Sequence, residues 1–265
     1  MLTLLRQPRW LGYVALATIF AVACCLFGVW QWNRREEALA AIERLESNYD
    51  RSPVAVAEAI ADPAAFDPAK QWTPVVLEGE YLLDEQLLLR GRWRGGEVGF
   101  DVIAPFRTTD GTVFVVDRGW IDQASGAERP VTEPATPAGP TTVVARLRPN
   151  EGDIPGRGAP EGQIASVNLP AIAEGIDGEA YVGAYGLLVS EDGDAPTDVA
   201  IATRPVLDEG PHLSYTLQWF VFALFGYAAV AWGMREELRG DAPPPKPKRE
   251  RRSDADVEDD ILDRA

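Results

Sequence analysis

Two long runs of uncharged residues constrain this chain more than any other feature of its sequence. Residues 10–32 form a run of 23 without a charged side chain, and residues 213–234 form a second run of 22. At about 1.5 Å per residue, either run crosses a hydrocarbon layer of roughly 30 Å as a helix. The sequence therefore predicts two transmembrane helices, at 10–32 and 212–234.

Aromatic residues near the ends of both runs support this interpretation, because Trp and Tyr favour the headgroup region of a lipid bilayer. They are Trp10, Tyr13, Trp30 and Trp32 in the first run and Tyr215, Trp219, Tyr227 and Trp232 in the second. A cleaved signal peptide is the alternative for the first run, since residues 21–23 read Ala-Val-Ala. Nine uncharged residues follow that site, whereas a signal core usually has only about 7–15 apolar residues. We therefore expect a retained anchor.

Basic residues at the far ends of the two runs predict the orientation of the chain. Arg6 and Arg9 precede the first run, and the residues that follow the second are Arg235, Arg239, Lys246, Lys248, Arg249, Arg251 and Arg252. Basic flanks stay in the cytoplasm, so residues 1–9 and 235–265 are predicted to be cytoplasmic at the cell (plasma) membrane. Residues 33–211 then form a large domain outside. The proline- and charge-rich tail at 235–265 is predicted to be disordered.

The segment between the spans is strongly acidic. Residues 33–234 contain 15 basic and 31 acidic side chains, in a chain whose net charge is −16. Such a domain repels nucleic acid and anionic headgroups, so no nucleic-acid partner is expected. Its charge favours cations or a basic protein partner, or is simply a solubilising surface. The only cysteines, Cys24 and Cys25, lie in the first run, so the domain is predicted to fold without disulfides.

The outer domain begins with helical patterns and continues with strands. Residues 33–47 read as a helical extension of the first span, and Ser52-Pro53 predicts a short second helix reaching Ile60. Strand patterns follow at 75–82, 86–90, 99–104, 112–117, 142–147 and 181–189, with loops at 123–140 and 149–163. The predicted fold class is a membrane α+β protein, in which two transmembrane helices flank an extracytoplasmic, antiparallel, β-rich domain. That domain is barrel- or sandwich-like and carries short helices.

Catalytic motifs are scarce in this sequence. A single histidine, His212, makes a Ser-His-Asp triad improbable, and the chain contains no nucleophile elbow, phosphate-binding glycine loop or C-x-x-C element. We therefore expect a protein that is not an enzyme. An anchored extracytoplasmic sensor or hydrolase is the contrasting hypothesis, and it would require a convergent acidic pair in a pocket of the outer domain.

His212 opens the second span and begins a stripe of polar and aromatic side chains. Tyr215 and Trp219 follow it at helical spacings of three and four residues, and Gln218 lies beside them. The first span brings Gln31 and Arg34 to the same outer interface. Polar residues at such depth usually face the interior of a bundle.

Two interpretations of this stripe remain open. A neutral imidazole can ligate haem iron, and Arg34 or Arg35 can bind haem propionates. Alternatively, His212 is an interfacial anchor, Gln31 and Gln218 form hydrogen bonds between the helices, and the aromatic rings simply pack. The residues alone do not choose between these interpretations.

Three motifs in order carry a resemblance to a known family. They read GVWQWNR at 28–34, GFDVIAPF at 99–106 with DRGW at 117–120, and HLSYTLQWF at 212–220. They resemble the G-x-W-Q-x-x-R, G-F-x-V-x-x-P-F, R-G-W and H-x-x-Y-x-x-Q-W-F elements of the surfeit-locus (Surf-one type) family of cytochrome c oxidase assembly proteins. Asp117 departs from the pattern, since asparagine is common at that position. The resemblance covers residues 10–234.

That resemblance implies a role in the maturation of haem-copper oxidase. The implied function is an assembly factor that aids insertion of haem a into the cytochrome c oxidase catalytic subunit, with haem a synthase as a further partner and the lipid bilayer as its surroundings. The implied haem-iron ligand is His212. The residues that we assign to the cofactor site with it are Tyr215, Gln218, Trp219, Gln31 and Arg34.

A scaffold or accessory subunit of the oxidase, or of a respiratory supercomplex, is the alternative function. Such a protein would bind no haem of its own. Small residues on the spans would permit close contact with partner helices, and these residues are Gly28, Ala223, Gly226 and Gly233.

Overall fold

The computed structural model describes residues 4–123, 129–130 and 133–240. The chain divides into two compact units, one formed by the described residues up to Arg35 and from Pro211 onwards, the other by Glu36–Gly210. The predicted disordered tail falls mostly on residues 241–265, which lie outside the described residues. So do 124–128 and 131–132 of the predicted loop.

The helices and strands follow in this order: α1 (Pro8–Asn48), β1 (Val54–Ala55), α2 (Val56–Ala59), β2 (Pro74–Tyr81), β3 (Leu87–Arg94), β4 (Glu97–Thr108), β5 (Val113–Asp122), β6 (Thr141–Pro149), β7 (Gln163–Ile164), α3 (Leu169–Ala173), β8 (Ala184–Glu191) and α4 (His212–Gly240). Single 3-10 turns lie at Leu4–Arg6, Pro68–Lys70 and Leu83–Glu85.

Both long helices have the length and apolar composition needed to cross a membrane. Helix α1 continues from the first uncharged run to Asn48, which confirms the predicted helical extension over residues 33–47. Helix α4 begins at His212 and continues to Gly240, beyond the predicted end of the span at residue 234. Apolar side chains such as Ile19, Leu26 and Leu224 are exposed on the outer faces, as expected of helices surrounded by lipid.

Helices α1 and α4 pack antiparallel, because contact positions rise along one helix as they fall along the other. The Phe27 ring stacks on Trp219, with centroids 4.9 Å apart, and Tyr227 Oη donates to Thr18 Oγ1 at 3.0 Å. Farther along, Trp10 Nε1 donates to Glu237 Oε2 at 3.1 Å. These contacts fix one register over the whole length of the pair.

Glycines allow the two helices to approach closely. A Cβ at Gly28 would lie 3.1 Å from Phe220, one at Gly226 3.1 Å from Phe20, and one at Gly233 3.2 Å from Trp10. The fourth small residue, Ala223, is buried against Ala21 and Cys24. Side chains of the same chain thus pack against all four residues, and the predicted contact with a partner helix stays a prediction.

Five strands of the unit formed by Glu36–Gly210, the β domain, close into a ring. Strand β2 pairs with β6, β6 with β8, β8 with β5, β5 with β4, and β4 returns to β2. Strands β1, β3 and β7 extend the sheet at its flanks. The sequence predicted either a barrel or a sandwich, and the closed ring of strands shows that the domain is a barrel.

The prediction of an antiparallel sheet was wrong in part, because the sheet is mixed. Pairs β5–β8, β1–β2 and β3–β7 run parallel. A closed ring of five strands cannot alternate direction throughout, since an odd number leaves one pair of neighbours pointing the same way. The β5–β8 pair takes that place. The short helix predicted from Ser52-Pro53 was also misplaced, since Val54–Ala55 form a strand and α2 starts only at Val56.

Alternate residues of the five ring strands fill the barrel. The interior side chains are Val75, Leu77, Tyr81, Ala104, Phe106, Phe114, Val116, Val143, Ala145, Leu147, Ala184 and Leu188, each at most 4% exposed. Gly186 falls on the same face, where a Cβ would lie 2.6 Å from the Cβ of Ala145. The outer face of β4 and β5 is covered by α3 through residues such as Leu169 and Ile172. Burial on both faces explains the continuous apolar run at 113–116.

The end of α1 is attached to the β domain. Asn48 Nδ2 donates to the carbonyl oxygen of Ala69 at 2.7 Å. Two guanidinium groups contact the Tyr49 ring, with the Cζ atoms of Arg146 and Arg204 at 3.8 and 4.9 Å from its centroid. Arg204 belongs to the segment that precedes α4, so the chain leaving α1 and the chain leading to α4 meet on one domain.

Candidate functional site

The helix pair brings His212 and Gln31 into direct contact. The Nδ1 atom of His212 lies 2.8 Å from Oε1 of Gln31, although the two residues are 181 positions apart in sequence. Both side chains are half-buried. The pairing follows from the register set by Phe27 and Trp219. Gln31 lies one turn beyond Phe27 on α1, and His212 lies two turns before Trp219 on α4.

The polarity of the contact depends on the tautomer of His212. Because an amide oxygen only accepts hydrogen bonds, Gln31 Oε1 pairs with the tautomer that carries its proton on Nδ1. In a neutral imidazole the other nitrogen, Nε2, then keeps its lone pair. Nε2 has no hydrogen-bond partner within the described part of the chain. The arrangement therefore presents a nitrogen lone pair beside the helix pair.

Local hydrogen bonds hold the first turn of α4. Thr216 Oγ1, which is buried, donates to the carbonyl oxygen of His212 at 2.9 Å. Ser214 Oγ donates to the carbonyl oxygen of Pro211 at 2.7 Å. These bonds occupy carbonyl groups at the start of the helix and limit movement of the backbone that carries the imidazole.

The other predicted site residues are distributed less tightly. Trp219 packs between the Phe27 ring, at 4.9 Å, and the Phe222 ring, at 5.9 Å. Arg34 Cζ lies 5.9 Å from the ring centroid of Trp30 on its own helix. Tyr215 and Gln218 are exposed, and in the described ranges neither side chain joins the hydrogen bond of His212. The structure thus joins His212 to Gln31 and places the rings of Phe27, Trp219 and Phe222 further along the helix pair.

These residues are of the types that would hold a haem. The imidazole would bind its iron, Trp219 and Phe27 would contact its ring, and Arg34 would pair with a propionate. No group of three or more His, Cys, Asp or Glu side chains placed to hold a metal ion occurs among the described residues. A bare ion would need such a group.

A buried ion pair lies inside the barrel, and sequence reasoning did not identify it. Arg118 is only 1% exposed, and its Nε and Nη2 atoms donate to the two carboxylate oxygens of Glu191 at 2.9 and 3.1 Å. Tyr81 Oη donates to the same carboxylate at 2.7 Å. Burial and the charge of Glu191 raise the pKa of Tyr81. Arg118, Glu191 and Tyr81 form the interior network.

A second ionic network lines an open cleft of about 640 Å³ on the outer side of the sheet. Arg92 Nε donates to Asp101 at 2.6 Å, and its Nη2 atom donates to Glu151 at 3.1 Å. Tyr185 Oη donates to Glu151 at 3.2 Å. Asp117 completes this cleft network, and it accepts a hydrogen bond from the N–H of Gly119 at 3.0 Å.

The three carboxyl groups of the cleft network have different proton affinities. Burial and the nearby charge of Asp101 raise the pKa of Asp117 well above its ordinary value. Burial also raises the pKa of Asp101, although Arg92 opposes this effect. Burial would raise the pKa of Glu151 as well, but Arg92 and the N–H of Val167 outweigh it and lower that pKa.

Convergent carboxyl groups are the feature that the hydrolase hypothesis required. Here, however, Arg92 binds two of them, and Glu151 also accepts hydrogen bonds from Val167 and Tyr185. These carboxylates are therefore engaged in contacts that join β3, β4 and the segment after β6. The sequence signal that could have revealed both networks was the Asp117-Arg118-Gly119-Trp120 motif. Side chains alternate along β5, so Asp117 and Arg118 lie on opposite faces of the sheet.

Comparison with known proteins identifies the family. The profile of the SURF1 family matches residues 18–224. Uncharacterised SURF1-like proteins of Mycobacterium bovis and Mycobacterium tuberculosis are each 30% identical over 259 residues, which covers 93% of this chain and 93% of theirs. The cytochrome oxidase assembly protein SHY1 of Saccharomyces cerevisiae is 28% identical over 126 residues, 44% of this chain and 31% of the yeast protein. Because the family profile covers most of the chain, the protein belongs to the SURF1 family.

Proposed function

We propose that this protein is a membrane-anchored assembly factor for cytochrome c oxidase that holds haem a transiently through His212 and delivers it to the catalytic subunit. Membership of the SURF1 family and similarity to a yeast protein named for cytochrome oxidase assembly support the assembly role. The observation that carries the haem-binding part is the 2.8 Å contact between His212 Nδ1 and Gln31 Oε1. It leaves Nε2 able to bind iron.

In this proposal the protein's own residues bind and orient the cargo. His212 supplies the axial nitrogen, Trp219 and Phe27 form an aromatic wall, and Arg34 compensates the propionate charge. A single axial bond suits a carrier, since affinity must stay low enough for release to the oxidase. Haem a itself supplies the iron that the imidazole coordinates.

The spans and their orientation belong to the same proposal. We place α1 and α4 in the cell membrane with both termini in the cytoplasm and residues 33–211 outside. The two native cysteines lie in the first span, so Trp93→Cys, at a side chain that is 73% exposed, adds one accessible thiol to the domain. A membrane-impermeant maleimide should label this variant on intact cells but not Ser253→Cys in the tail. The reverse result would overturn the orientation.

The haem-binding role is tested with His212→Ala. Purified from cells that make haem a, the wild-type protein should carry the haem spectrum, and the variant should lose it together with oxidase maturation. Tyr227→Phe is the matched control, since it removes another hydrogen bond between the helices, the one to Thr18 at 3.0 Å. It should leave both measurements unchanged.

The outcomes of this experiment separate the two functions that the family resemblance allows. Unchanged haem spectra and unchanged oxidase maturation in His212→Ala would exclude the ligand role. Stable co-purification with the oxidase, with no haem on the isolated protein, would instead identify a scaffold or accessory subunit.

A further inference from the structure

We propose that Gln31 is a positioning residue that fixes His212 in the tautomer with its proton on Nδ1, so that Nε2 is the ligating nitrogen. The inference rests on the proposed haem-binding role of His212 and adds to it a residue that need not touch the haem. A neutral imidazole otherwise exchanges its proton between the two nitrogens, and only the unprotonated one can bind iron.

The geometry gives Gln31 this role through its acceptor atom. Gln31 Oε1 lies 2.8 Å from Nδ1, a distance typical of an N–H···O hydrogen bond. In this orientation of the amide, a proton on Nδ1 completes the hydrogen bond, whereas a proton on Nε2 would leave two acceptors facing each other. A carbonyl oxygen on the far nitrogen is the usual companion of a metal-binding histidine, and it fixes both tautomer and ring orientation.

Packing of the two helices holds the acceptor in place. Gln31 follows Phe27 and Gly28 by four and three positions, so the three lie on one face of α1. That face is fixed against α4 by the Phe27–Trp219 stack at 4.9 Å and by the contact of Gly28 with Phe220. The acceptor therefore exists before any ligand arrives.

The tautomer can be measured without haem, because His212 is the single histidine of the chain. Full-length, untagged protein labelled with ¹⁵N-histidine and held in lipid nanodiscs gives ring-nitrogen signals from this residue alone. At a pH of about 8.5, where an ordinary imidazole is neutral, we expect a protonated Nδ1 and an unprotonated Nε2. In Gln31→Ala the signals should shift towards the tautomer protonated on Nε2.

Variants distinguish this role from simple packing. Gln31→Glu keeps an acceptor oxygen and should keep the proton on Nδ1, whereas Gln7→Ala removes an exposed glutamine of the same unit and should change nothing. Haem a affinity should fall about 10–100-fold in Gln31→Ala, the usual loss for such a partner, and should be restored largely in Gln31→Glu.

Two results would overturn the inference. One is a wild-type ring protonated on Nε2, which would mean that the amide donates its N–H to Nδ1; the other is an unchanged ring spectrum in Gln31→Ala. If the tautomer is as expected but His212→Ala still binds haem, the proposed function fails and the positioning result stands. If His212→Ala loses haem while the tautomer is wrong, only the present inference fails.

Discussion

The helix pair and the β domain each contain a polar cluster, and the two clusters differ in how completely their atoms are bonded. In the helix pair, His212 forms one side-chain hydrogen bond, between Nδ1 and Gln31 Oε1 at 2.8 Å. In the barrel, Arg118 binds both oxygens of Glu191 and Tyr81 adds a third bond. The first cluster is open, with a single hydrogen bond, and the second is closed, with two charges and three hydrogen bonds.

This difference separates the proposed ligand site from a structural one. A closed ionic network repays its desolvation only if every partner is present, so it stabilises one arrangement of the strands. A half-buried imidazole nitrogen can take a hydrogen bond from water or form a coordination bond. In this proposal the chain uses charged pairs to hold its β domain and an imidazole to bind its cargo.

The largest effect is expected when the interior network loses its cation. Arg118→Ala leaves the Glu191 carboxylate with the Tyr81 hydroxyl but without the cation of this network, and loss of one member of a buried pair costs about 3–5 kcal/mol. Urea unfolding of the full-length protein in detergent, followed by tryptophan fluorescence, measures this change. Arg129→Ala removes an arginine whose side chain is 53% exposed, so it should cost only about 0–1 kcal/mol. Equal costs would contradict the assignment of Arg118 to a closed network.

A smaller effect is expected from a larger side chain at Gly28, where helices α1 and α4 touch near the contact between His212 and Gln31. In Gly28→Ile the new side chain would meet Phe220, since even a Cβ lies 3.1 Å away. Overpacking of this kind costs about 1–3 kcal/mol. It should separate His212 from Gln31 and lower haem a retention. Gly12→Ile is the control, because a Cβ there meets nothing within 4 Å. Equal haem retention in the two variants would show that the register does not support the site.

The smallest effect concerns how the stability of the β domain depends on pH. Because the pKa of Asp117 is raised in the fold, chiefly by burial and by Asp101, the folded state keeps a proton that the unfolded chain loses. Stability should therefore fall as the pH rises from about 4, by at most about 1.4 kcal/mol per pH unit for one proton. Asp117→Asn should reduce this fall and leave the smaller part that Asp101 contributes, since the pKa of Asp101 is also raised.

Glu151 provides the opposite sign within the same cleft network. Its pKa is lowered, since Arg92 and the Val167 N–H outweigh burial, so its contribution is present above the ordinary carboxyl pKa and is lost as the pH falls. Glu151→Gln should flatten the acid side of the stability curve. Urea midpoints between about pH 4 and 8 cover the window for Asp117, and midpoints below about pH 4 cover the window for Glu151. An unchanged profile in Asp117→Asn would mean that this carboxyl is ionised in the fold.

Much of the fold follows from local patterns. The strand at 75–82 was predicted close to its observed bounds of Pro74–Tyr81 because the segment is short and rich in β-forming residues. The two-residue strands β1 and β7 were missed, since so short a segment has no detectable period. The parallel β5–β8 pair was missed for a different reason. Alternation shows which side chains share a face but not the direction of a neighbouring strand.

The polar clusters likewise combine features that local sequence predicts with contacts that it does not predict. Asp117 and Arg118 are adjacent in sequence but belong to different networks, and Glu191 lies 73 positions from the arginine that it binds. Spacing within one element cannot reveal a partner on a distant element. His212 and Gln31 were assigned to one interface from their places in the two spans, whereas the atom-to-atom polarity of their contact was not predictable.

The sequence alone determined two long uncharged helices, an acidic β-rich domain between them and the motifs of the SURF1 family. These properties depend on composition and on periods of two or three to four residues, which a single element expresses by itself. Only the tertiary structure decided that five strands close into a ring, that Arg118 faces inward, and that Nδ1 of His212 meets the oxygen of Gln31. Each of these depends on contacts between residues far apart in the chain, because packing rather than local preference sets register and partner.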